Sequence, residues 1–523
     1  MTNLFIRGGT VVNADRADRA DVLCQDGRIV AVGSCAGLEA VYRPRRKLEL
    51  GNAVVYPGFM DPHCHFLSYG YVLQRAQLFG ARSWEEAVTR LVAHAANSRE
   101  PWIQGRGWDQ NTWESGQFPS NELLDRAFPH DPVLAIRVDG HAAMANSAAL
   151  AAAGIDAVTR VDGGTIVVSG GRPTGLLLDN AVDKVKSAIP APNEATARRA
   201  LLAAQEKCFA AGLTSVSNAG TEKNDALFME NMQGEGDLSI RIYVMLLPTQ
   251  ENIEYFASRG PGAGEKLTIR SFKMFADGAL GSRGARLLEP YSDDLGNCGL
   301  FTLNPDELAR VCGIAKAGGF QMNVHAIGDA AARLVLDTYE RFLEPGNDLR
   351  WRVEHAQLVH DDDLSRFGRL NIIPSVQTSH ATSDMAWTET RLGPERMSRS
   401  HRYRDLLAQN GWLANGSDFP IERIEPLRGF RSAVFRKNDA WLPDGGYRPS
   451  QAISRADALR AMTIWAARAN FEEGSRGSLE PGKWADFTVL DTDVLTAEEA
   501  SIIEARVLMT AIAGETVFET FSR

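Results

Sequence analysis

Two histidines separated by a single residue offer the first chemistry that this sequence could perform. His63 and His65 follow an apolar run in the segment Gly-Phe-Met-Asp-Pro-His-Cys-His. Residues i and i+2 of a β-strand point to the same side, so both imidazoles can face one point. Imidazole nitrogens bind Zn²⁺ and related divalent ions, at about 2.0–2.1 Å for zinc. The pair suggests a metal site, although strand-end histidines on a polar surface would look the same. Cys64 points away by the same alternation and is not assigned as a ligand.

Three further residues stand at the same kind of position. His325 ends the run Gln-Met-Asn-Val-His, His355 ends Arg-Val-Glu-His, and Asp418 follows Trp-Leu-Ala-Asn-Gly-Ser. Each is the first strongly coordinating residue after a short apolar strand, where barrel enzymes place their catalytic groups. Either histidine alone would more often be a hydrogen-bonded structural residue. Their recurrence at matching points of one repeat favours a shared metal site.

A lysine with apolar neighbours adds a different ligand chemistry. Lys273 lies in Ile-Arg-Ser-Phe-Lys-Met-Phe-Ala-Asp-Gly, and lysine is seldom buried without a partner or a function. A desolvated lysine loses its proton more easily and becomes nucleophilic. It could then take up CO₂ as a carbamate, whose two oxygens can bridge two metal ions. The alternative is a lysine that forms a salt bridge with Asp277.

These residues need a scaffold of alternating strands and helices, and the sequence provides one. Helical patterns such as 305–317 and 330–343 separate several of the strand candidates. Eight parallel strands with intervening helices form a TIM barrel, whose active site lies at the carboxyl ends of the strands. The strand candidates are Ala53–Met60, Thr214–Asn218, Ile240–Leu246, Thr268–Phe275, Phe320–His325, Trp351–His355, Ile372–Gln377 and Trp412–Ser417.

Domain boundaries follow from the spacing of these strands. About 150 residues separate the first two candidates, where a plain unit needs roughly 30, so a subdomain is inserted after strand one. Both ends of the chain are rich in short strand-like runs with glycine turns, and we expect them to form one small β-sandwich. The predicted α/β protein therefore consists of 1–55 (sandwich, first part), 56–70 (barrel strand one and its loop), 71–200 (insertion), 201–470 (remaining barrel) and 471–523 (sandwich, second part).

Composition excludes several classes of protein. The chain has 523 residues and a formal net charge of −10, without the basic tracts of a nucleic-acid-binding protein. No run approaches the roughly 18–20 apolar residues of a membrane helix, and the start does not resemble a signal peptide. Six scattered cysteines favour reduced thiols in the cytoplasm. We expect a small-molecule substrate, no nucleic acid and no membrane as partners, and leave open assembly into a homo-oligomer.

The sequence resembles the amidohydrolase superfamily, in the branch called amidohydrolase family 3, which includes N-substituted formamide deformylases. The resemblance implies a TIM barrel with a small β-sandwich and a binuclear zinc centre bridged by a carboxylated Lys273, while the residues alone leave open whether one or two ions bind. His63, His65 and Asp418 would hold the more buried ion, and His325 and His355 the other. The motifs that carry the resemblance are PGFMDPHCH, DGHAAMANSAAL, SFKMFADGALGSRGA, NVHAIGDAA, RVEHAQL, GSDFPIE and LEPGKWADFTVLD.

The main functional hypothesis is hydrolysis of a C–N bond in an amide, N-formyl or cyclic amide substrate. Metal-bound hydroxide would attack the carbonyl, with Asp418 as general base and then general acid. Hydrolytic deamination of a ring is the alternative, but family deaminases resemble one another in placing a glutamate shortly after the fifth-strand histidine. Here His325 is followed by Ala-Ile-Gly-Asp-Ala. Ester or lactone hydrolysis is a lesser variant, and the complete ligand set argues against a non-enzymatic scaffold.

Five residues are candidates for contact with the substrate, each with a structural alternative. His141 would line the pocket or organise a turn. Asp277 and Arg283 follow Lys273 at the predicted site mouth, where the arginine would bind a substrate carboxylate or hold the loop. Trp108 and Trp113 would line an apolar pocket or form the core of the insertion. The remaining histidines that we leave as structural or surface residues are His94, His130, His380 and His401.

Overall fold

The structure, a computed structural model, describes residues 4–14, 16–35, 37–97, 100–137, 142–161 and 164–521. The chain divides into two compact units. The first comprises Met1–Phe66 and Ala204–Arg523, and the second comprises Leu67–Ala203. The predicted insertion, 71–200, lies within the second unit.

Strands and helices are numbered in chain order through the described residues. The strands are β1 (Leu4–Asn13), β2 (Arg16–Gln25), β3 (Arg28–Gly33), β4 (Arg46–Glu49), β5 (Val54–Pro57), β6 (Phe59–Cys64), β7 (Ala76–Gln77), β8 (Ile103–Trp108), β9 (Val133–Arg137), β10 (Ala142–Ala145), β11 (Gly164–Ser169), β12 (Arg172–Asp179), β13 (Leu213–Thr221), β14 (Arg241–Leu246), β15 (Gly262–Ala263), β16 (Leu267–Phe275), β17 (Gln321–Ala326), β18 (Arg352–His355), β19 (Ile373–Val376), β20 (Ala414–Asn415), β21 (Phe487–Leu490), β22 (Val507–Ile512) and β23 (Glu515–Glu519). The helices are α1 (Leu38–Tyr42), α2 (Phe66–Leu73), α3 (Trp84–Ala95), α4 (Glu122–Ala127), α5 (Ser147–Ala152), α6 (Asn180–Lys186), α7 (Glu194–Ala210), α8 (Lys223–Glu235), α9 (Gln250–Asn252), α10 (Pro305–Gly318), α11 (Asp329–Glu340), α12 (Asp361–Arg369), α13 (Thr378–Asp384), α14 (Thr388–Arg396), α15 (Tyr403–Asn410), α16 (Pro426–Val434), α17 (Arg455–Ala461), α18 (Ile464–Ala469) and α19 (Glu499–Ile503).

A parallel sheet forms the barrel of the first unit. In the described residues its eight strands run in the order β6-β13-β14-β16-β17-β18-β19-β20, with the short β15 beside β16. The first and last strands meet where Asp418 N donates to His63 O and His65 N donates to Phe419 O, both at 2.8 Å. The predicted TIM barrel is confirmed, and the carboxyl ends of its strands carry the candidate site.

The helices between the strands begin and end where the sequence directs. For α10, the Asn304 side chain accepts from Asp306 N, and Pro305 occupies the first turn, where its missing N–H costs nothing. Gly319 ends the helix with a φ of 73°, which glycine adopts without a steric penalty. This tight end places β17, which carries His325, directly after the helix.

The first strand candidate, Ala53–Met60, forms two strands instead of one. Gly58 separates β5, in the sheet of the chain ends, from β6, in the barrel. Its N–H donates to Asp486 O, and a Cβ there would lie 2.3 Å from Thr214 Oγ1. Only glycine fits this close approach to Thr214. Gly58 therefore lets the chain pass from one sheet to the other at this point. Because β6 continues to Cys64, His63 lies within the strand and not after it.

The chain ends combine in one domain, as predicted. In the described residues the sheet has the order β23-β22-β21-β5-β1-β2-β3, with β4 beside β1. Leu4 and Val22 from the start of the chain share a buried core with Phe487 and Met509 from its end. The predicted composite domain is therefore confirmed, and its strands form a single hydrogen-bonded sheet of eight.

A buried ion pair joins this domain to the barrel. Arg241 on β14 donates from Nε to Asp486 Oδ2 at 2.5 Å and from a terminal nitrogen to Asp486 Oδ1 at 2.8 Å. Both side chains are almost fully buried, so neither charge has water as a substitute partner. Two parallel bonds of this kind hold the orientation of both groups.

We expect Asp486→Asn to lower the free energy of unfolding by about 3–5 kcal/mol, because Arg241 would keep a buried charge without its counter-ion. Urea denaturation of the metal-loaded protein measures the loss. Asp18→Asn is the matched control, since Asp18 pairs with Arg16 on the exposed surface and the change should cost less than about 1 kcal/mol. Equal losses in both variants would contradict this interpretation of the Arg241 pair.

The second unit has a sheet and core of its own. Its described strands pair in the order β11-β12-β10-β9-β8-β7. Trp84, Trp108 and Trp113 pack against one another with ring centroids 5.8–6.2 Å apart. These aromatic side chains supply much of the apolar area that such a unit needs to be stable.

Across the described ranges, no helix has the length and apolar character needed to cross a bilayer. All six cysteines are free, and all except the partly exposed Cys298 are buried. Cys64 Sγ lies 3.4 Å from Ser217 O on the neighbouring strand, consistent with its exclusion from the ligand set.

Candidate metal centre

His63, on β6, and His65, just after its end, both approach one carboxylate oxygen. His63 Nε2 lies 3.6 Å from Asp418 Oδ1, and His65 Nε2 lies 3.2 Å from the same atom. His65 Nδ1 donates to Ala219 O at 3.1 Å, which leaves its Nε2 as the nitrogen with a lone pair. The alternation of side chains along the strand therefore brings the two imidazoles together as the sequence predicts.

Asp418 and His355 are held by unusual backbone conformations. Asp418 has a φ of 62° and His355 a φ of 71°, in a region that non-glycine residues seldom adopt. Such conformations cost energy and persist where the surrounding structure enforces them, often at functional sites. Burial raises the pKa of Asp418, but His65, His63 and His380 outweigh this and hold it below its usual range. The carboxylate is therefore ionised and can bind a cation.

His355 lies at the middle of a row of imidazoles. Its ring centroid is 5.0 Å from that of His63 and 4.5 Å from that of His325. His63, His355 and Asp418 each offer a ligand atom within 4.8 Å of the others. Burial, followed by the charges of the neighbouring histidines, lowers the pKa of His355 well below its ordinary value. It is therefore neutral, which is the form of histidine that binds metal ions.

Lys273 is fully buried on β16. Its burial lowers the pKa of the ammonium to about 8, against the opposing charges of Glu354 and Asp418. Nζ lies 4.5 Å from the ring centroid of Phe275 and has no hydrogen-bond partner among the described residues. The alternative role as the partner of Asp277 is not observed, because that carboxylate binds elsewhere. A sizeable fraction of Lys273 is thus neutral and nucleophilic near pH 8.

Asp277 connects two loops of the site. Its carboxylate accepts from Arg286 N at 2.8 Å, Ile327 N at 3.0 Å and Gly328 N at 2.8 Å. Its Oδ1 also lies 3.4 Å from His325 Nε2. The Asp277 carboxylate, which the sequence suggests for substrate binding, is therefore already occupied by backbone donors. Its observed contacts fit the positioning of His325 better than contact with a substrate.

Arg283 and the two tryptophans also have structural partners. Arg283 donates to both oxygens of Asp293, at 3.1 and 2.8 Å, and so holds its own loop. In the core of the second unit, Trp108 Nε1 donates to Ala135 O at 2.8 Å and Trp113 Nε1 donates to Ala81 O at 2.9 Å. For all three residues, these contacts agree with the structural alternative. His141, the remaining candidate, lies outside the described residues.

Sequence reasoning missed Glu354, the residue before His355. Its Oε2 lies 2.5 Å from His63 Nδ1, and both groups are buried. Burial alone would raise the pKa of Glu354, but His63, Arg352 and Lys273 hold it at about 2. A carboxylate on the outer nitrogen of a metal-binding histidine fixes the ring and raises its basicity. The available signal in the sequence is an acidic residue directly before a strand-end histidine. Only the fold shows that Glu354 pairs with His63 across the barrel.

The sequence favours a structural or surface position for His380, but the residue lies at the site. Its Nε2 is 3.9 Å from Asp418 Oδ2, and its ring is parallel to that of His355 with centroids 5.8 Å apart. It is on α13, four residues after the end of the seventh barrel strand. The sequence does contain a signal for His380, because it follows a barrel strand. The histidines that follow or end other barrel strands all belong to the predicted site.

The unpaired atoms of this cluster fit a bound cation. Each is buried, and within the described parts of the chain each has no hydrogen-bond partner. Leaving a polar atom unsatisfied costs about 1–3 kcal/mol, so several together indicate a ligand that they share. A mixture of neutral imidazoles, a carboxylate and an amine able to form a carbamate suits a divalent metal. The atoms are His63 Nε2, Lys273 Nζ, His355 Nδ1 and Asp418 Oδ1.

We expect Glu354→Gln to weaken metal binding by about 10- to 100-fold, because the neutral amide no longer raises the basicity of His63. Competition with a chromophoric chelator measures the dissociation constant. Glu340→Gln, which changes a surface ion pair with Arg369, is the control and should bind metal like the wild type. An unchanged affinity in Glu354→Gln would show that this carboxylate does not tune His63.

Comparison with known proteins places this geometry among metal-dependent hydrolases. A sequence profile described as the amidohydrolase family matches residues 48–518. The chain is 34% identical to Protein LONG AFTER FAR-RED 3 of Arabidopsis thaliana, over 99% of this chain and 92% of the relative. It is 26% identical to the N-substituted formamide deformylase of Arthrobacter pascens, over 99% of both chains. An uncharacterized metal-dependent hydrolase from Pyrococcus horikoshii OT3 superimposes with a TM-score of 0.81 at 28% identity, covering 95% of this chain and 99% of that one.

Proposed function

Because the chain belongs to the amidohydrolase family and is a metal-dependent hydrolase, we propose that it hydrolyses the C–N bond of a small amide, N-formyl or cyclic amide substrate. The observation that carries this proposal is the position of the buried Asp418. Its Oδ1 lies within 3.6 Å of Nε2 of both His63 and His65, while its Oδ2 lies 3.9 Å from His380 Nε2. The similarity to a protein named N-substituted formamide deformylase supports an amide over other hydrolysable bonds.

Six residues would hold a divalent metal centre, most simply two zinc ions bridged by a carboxylated lysine. When bound, such ions lower the pKa of a water ligand and polarise a carbonyl oxygen. Four of them, His63, Lys273, His355 and Asp418, are buried and have an unpaired ligand atom. The other two are supported by the approach of His65 Nε2 to Asp418 Oδ1 and of the His325 ring to that of His355. The proposed ligands are His63, His65, Lys273, His325, His355 and Asp418.

Asp418 would move the proton during the reaction. It is ionised, so it can accept a proton from the attacking water as the C–O bond forms. It then passes that proton to the nitrogen as the C–N bond breaks, and the products are a carboxylate and an amine. The support for this role is that Asp418 approaches His63 and His65 with one oxygen and His380 with the other.

Hydrolytic deamination is the second candidate, and the surroundings of His325 speak against it. The acidic residue that follows His325 most closely is Asp329, which is buried at the start of α11. Its carboxylate accepts from Leu288 N at 2.8 Å and from Ala330 N at 3.0 Å. A group held in this way by backbone donors is poorly placed to protonate a ring. Ester or lactone hydrolysis would need little change in the chemistry and is a lesser variant.

The edge of the site suggests an apolar substituent on the substrate. Phe275, two residues after Lys273, is 38% exposed, and its ring centroid lies 5.7 Å from that of His325. An exposed aromatic ring beside buried polar groups is typical of a pocket that binds an apolar group. We further infer a cytoplasmic enzyme from the six unpaired cysteines.

A panel of N-formyl, N-acyl and cyclic amides with alkyl or aryl substituents tests the proposal, with zinc or manganese present. We expect release of an amine and a carboxylate. Release of ammonia from heterocyclic amines, without amide cleavage, would instead identify a deaminase. Purified protein that retains no zinc, manganese or iron, and gains no activity when these are added, would overturn the hydrolase proposal in favour of a scaffold.

A further inference from the structure

We propose that His380 is an additional catalytic residue, whose Nε2–H donates a hydrogen bond to the substrate carbonyl oxygen as that oxygen becomes negatively charged. This inference rests on the proposed amide hydrolysis at the same site. It assigns a function to the strand-seven end of the barrel, which supplies none of the proposed metal ligands.

Helix α13 holds His380 firmly over the cluster. At its first residue, Thr378 N and Oγ1 both approach Asn415 Oδ1, at 3.0 and 3.1 Å. The same hydroxyl lies 2.7 Å from Gly429 O, and Thr382 Oγ1 lies 2.9 Å from Ser432 Oγ. These contacts anchor the helix to β20 and α16, which fixes the starting point of the His380 side chain. A preorganised donor loses little entropy when it binds a substrate.

The gap between His380 and Asp418 leaves room for the reacting group. Nε2 and Asp418 Oδ2 are 3.9 Å apart, too far for a direct hydrogen bond, so Nε2 can reach the carbonyl oxygen while Oδ2 takes the proton of the water that attacks the same carbon. His380 Nε2 is also buried and without a partner in the described part of the structure. The Asp418 carboxylate has its other oxygen near His63 and His65. His380 therefore faces the side of Asp418 away from the strand-one histidines, where the scissile group would lie.

The proposed step balances without any proton leaving His380. As the water oxygen bonds to the carbonyl carbon, the π electrons of C=O move onto the carbonyl oxygen, and the His380 N–H binds that oxygen. These electrons re-form C=O as the C–N bond breaks, and the nitrogen leaves with the proton carried by Asp418. A fixed donor aimed at such an oxygen typically contributes about 10²–10³ in kcat.

Two neutral substitutions separate this function from a merely structural one. The amide nitrogen of His380→Gln can reach close to the position of the imidazole Nε2, whereas that of His380→Asn ends near Nδ1 and falls short. His130→Gln, an exposed histidine of the second unit, is the matched control. Metal content is measured in each zinc-loaded protein. Binding of methylphosphonate, whose oxygens imitate the tetrahedral centre, is measured by calorimetry, and kcat and KM are measured on a hydrolysed amide from the panel.

We expect all variants to retain the metal content of the wild type. His380→Asn should bind methylphosphonate at least tenfold more weakly and lose about 10²–10³ in kcat with KM changed less than about threefold. His380→Gln should bind methylphosphonate within about threefold of the wild type. Loss of metal from His380→Asn would make His380 a metal ligand and overturn the proposal. Unchanged methylphosphonate binding in His380→Asn, or no binding by the wild type, would also overturn it. If no amide is hydrolysed, the proposed function fails, and phosphonate binding still decides the function of His380.

Discussion

Lys273→Ala is expected to abolish turnover and to lose most of the bound metal. A fully buried amine with a pKa of about 8 is partly neutral at mildly basic pH, so it can react with CO₂. Alanine can form no carbamate, and two cations that lack a bridging anion would repel each other. Metal content by mass spectrometry and hydrolysis of the best amide in the panel measure both losses.

Three further observations make this test specific. Lys207→Ala removes an exposed lysine of α7 and should leave metal content and kcat unchanged. Protein loaded in ¹³C-bicarbonate should give a carbamate signal by ¹³C NMR that Lys273→Ala lacks. A short carboxylate such as propionate should restore part of the activity, because it can occupy the space of the missing side chain. Full turnover in Lys273→Ala would show that the bridging function is wrong.

Asp418→Asn is expected to lower kcat by about 10²–10⁴ while the fold is retained. Asparagine has the same shape and can still offer a carbonyl oxygen, but it cannot accept the proton of the attacking water. The burial that makes Asp418 effective also excludes bulk water from replacing it. Steady-state kinetics on the zinc-loaded protein, with metal content measured in parallel, separates lost proton transfer from lost metal.

The control for Asp418→Asn is Asp337→Asn. Asp337 is an exposed residue of α11 that forms a salt bridge with Arg366. It should keep the kcat of the wild type. If Asp418→Asn kept both its metal and its turnover, another group would have to be the general base, and the proton pathway proposed above would need to be replaced.

Much of the fold followed from the sequence because its periodicity is local. Short apolar runs predicted the barrel strands, and the first candidate differed only because Gly58 lets one run serve two sheets. His63 and His65 were recognised by side-chain alternation, which also depends on neighbouring residues alone. The remaining proposed ligands were suggested by their position at strand ends.

The residues that the sequence did not identify depend on contacts between distant parts of the chain. Glu354 is defined by its bond to His63 across the barrel, and His380 by its approach to Asp418 from a helix. The sequence alone is equally compatible with Arg283 binding a substrate and with Arg283 holding its loop, and only the fold shows its partner, Asp293. Local patterns identify which side chains are suited to chemistry, whereas the fold determines which of them meet.

The meeting of the first and last barrel strands has a consequence for biosynthesis. His63 belongs to the first strand and Asp418 follows the last, and the two are joined by a backbone hydrogen bond. The sheet of the chain ends likewise pairs β5 with β21, which is made near the end of translation. Contacts so distant in sequence form late and slowly, and they leave strand edges unpaired in the meantime. The ribosome must therefore release nearly the whole chain before the proposed ligands can assemble, and uptake of metal would report the completion of folding.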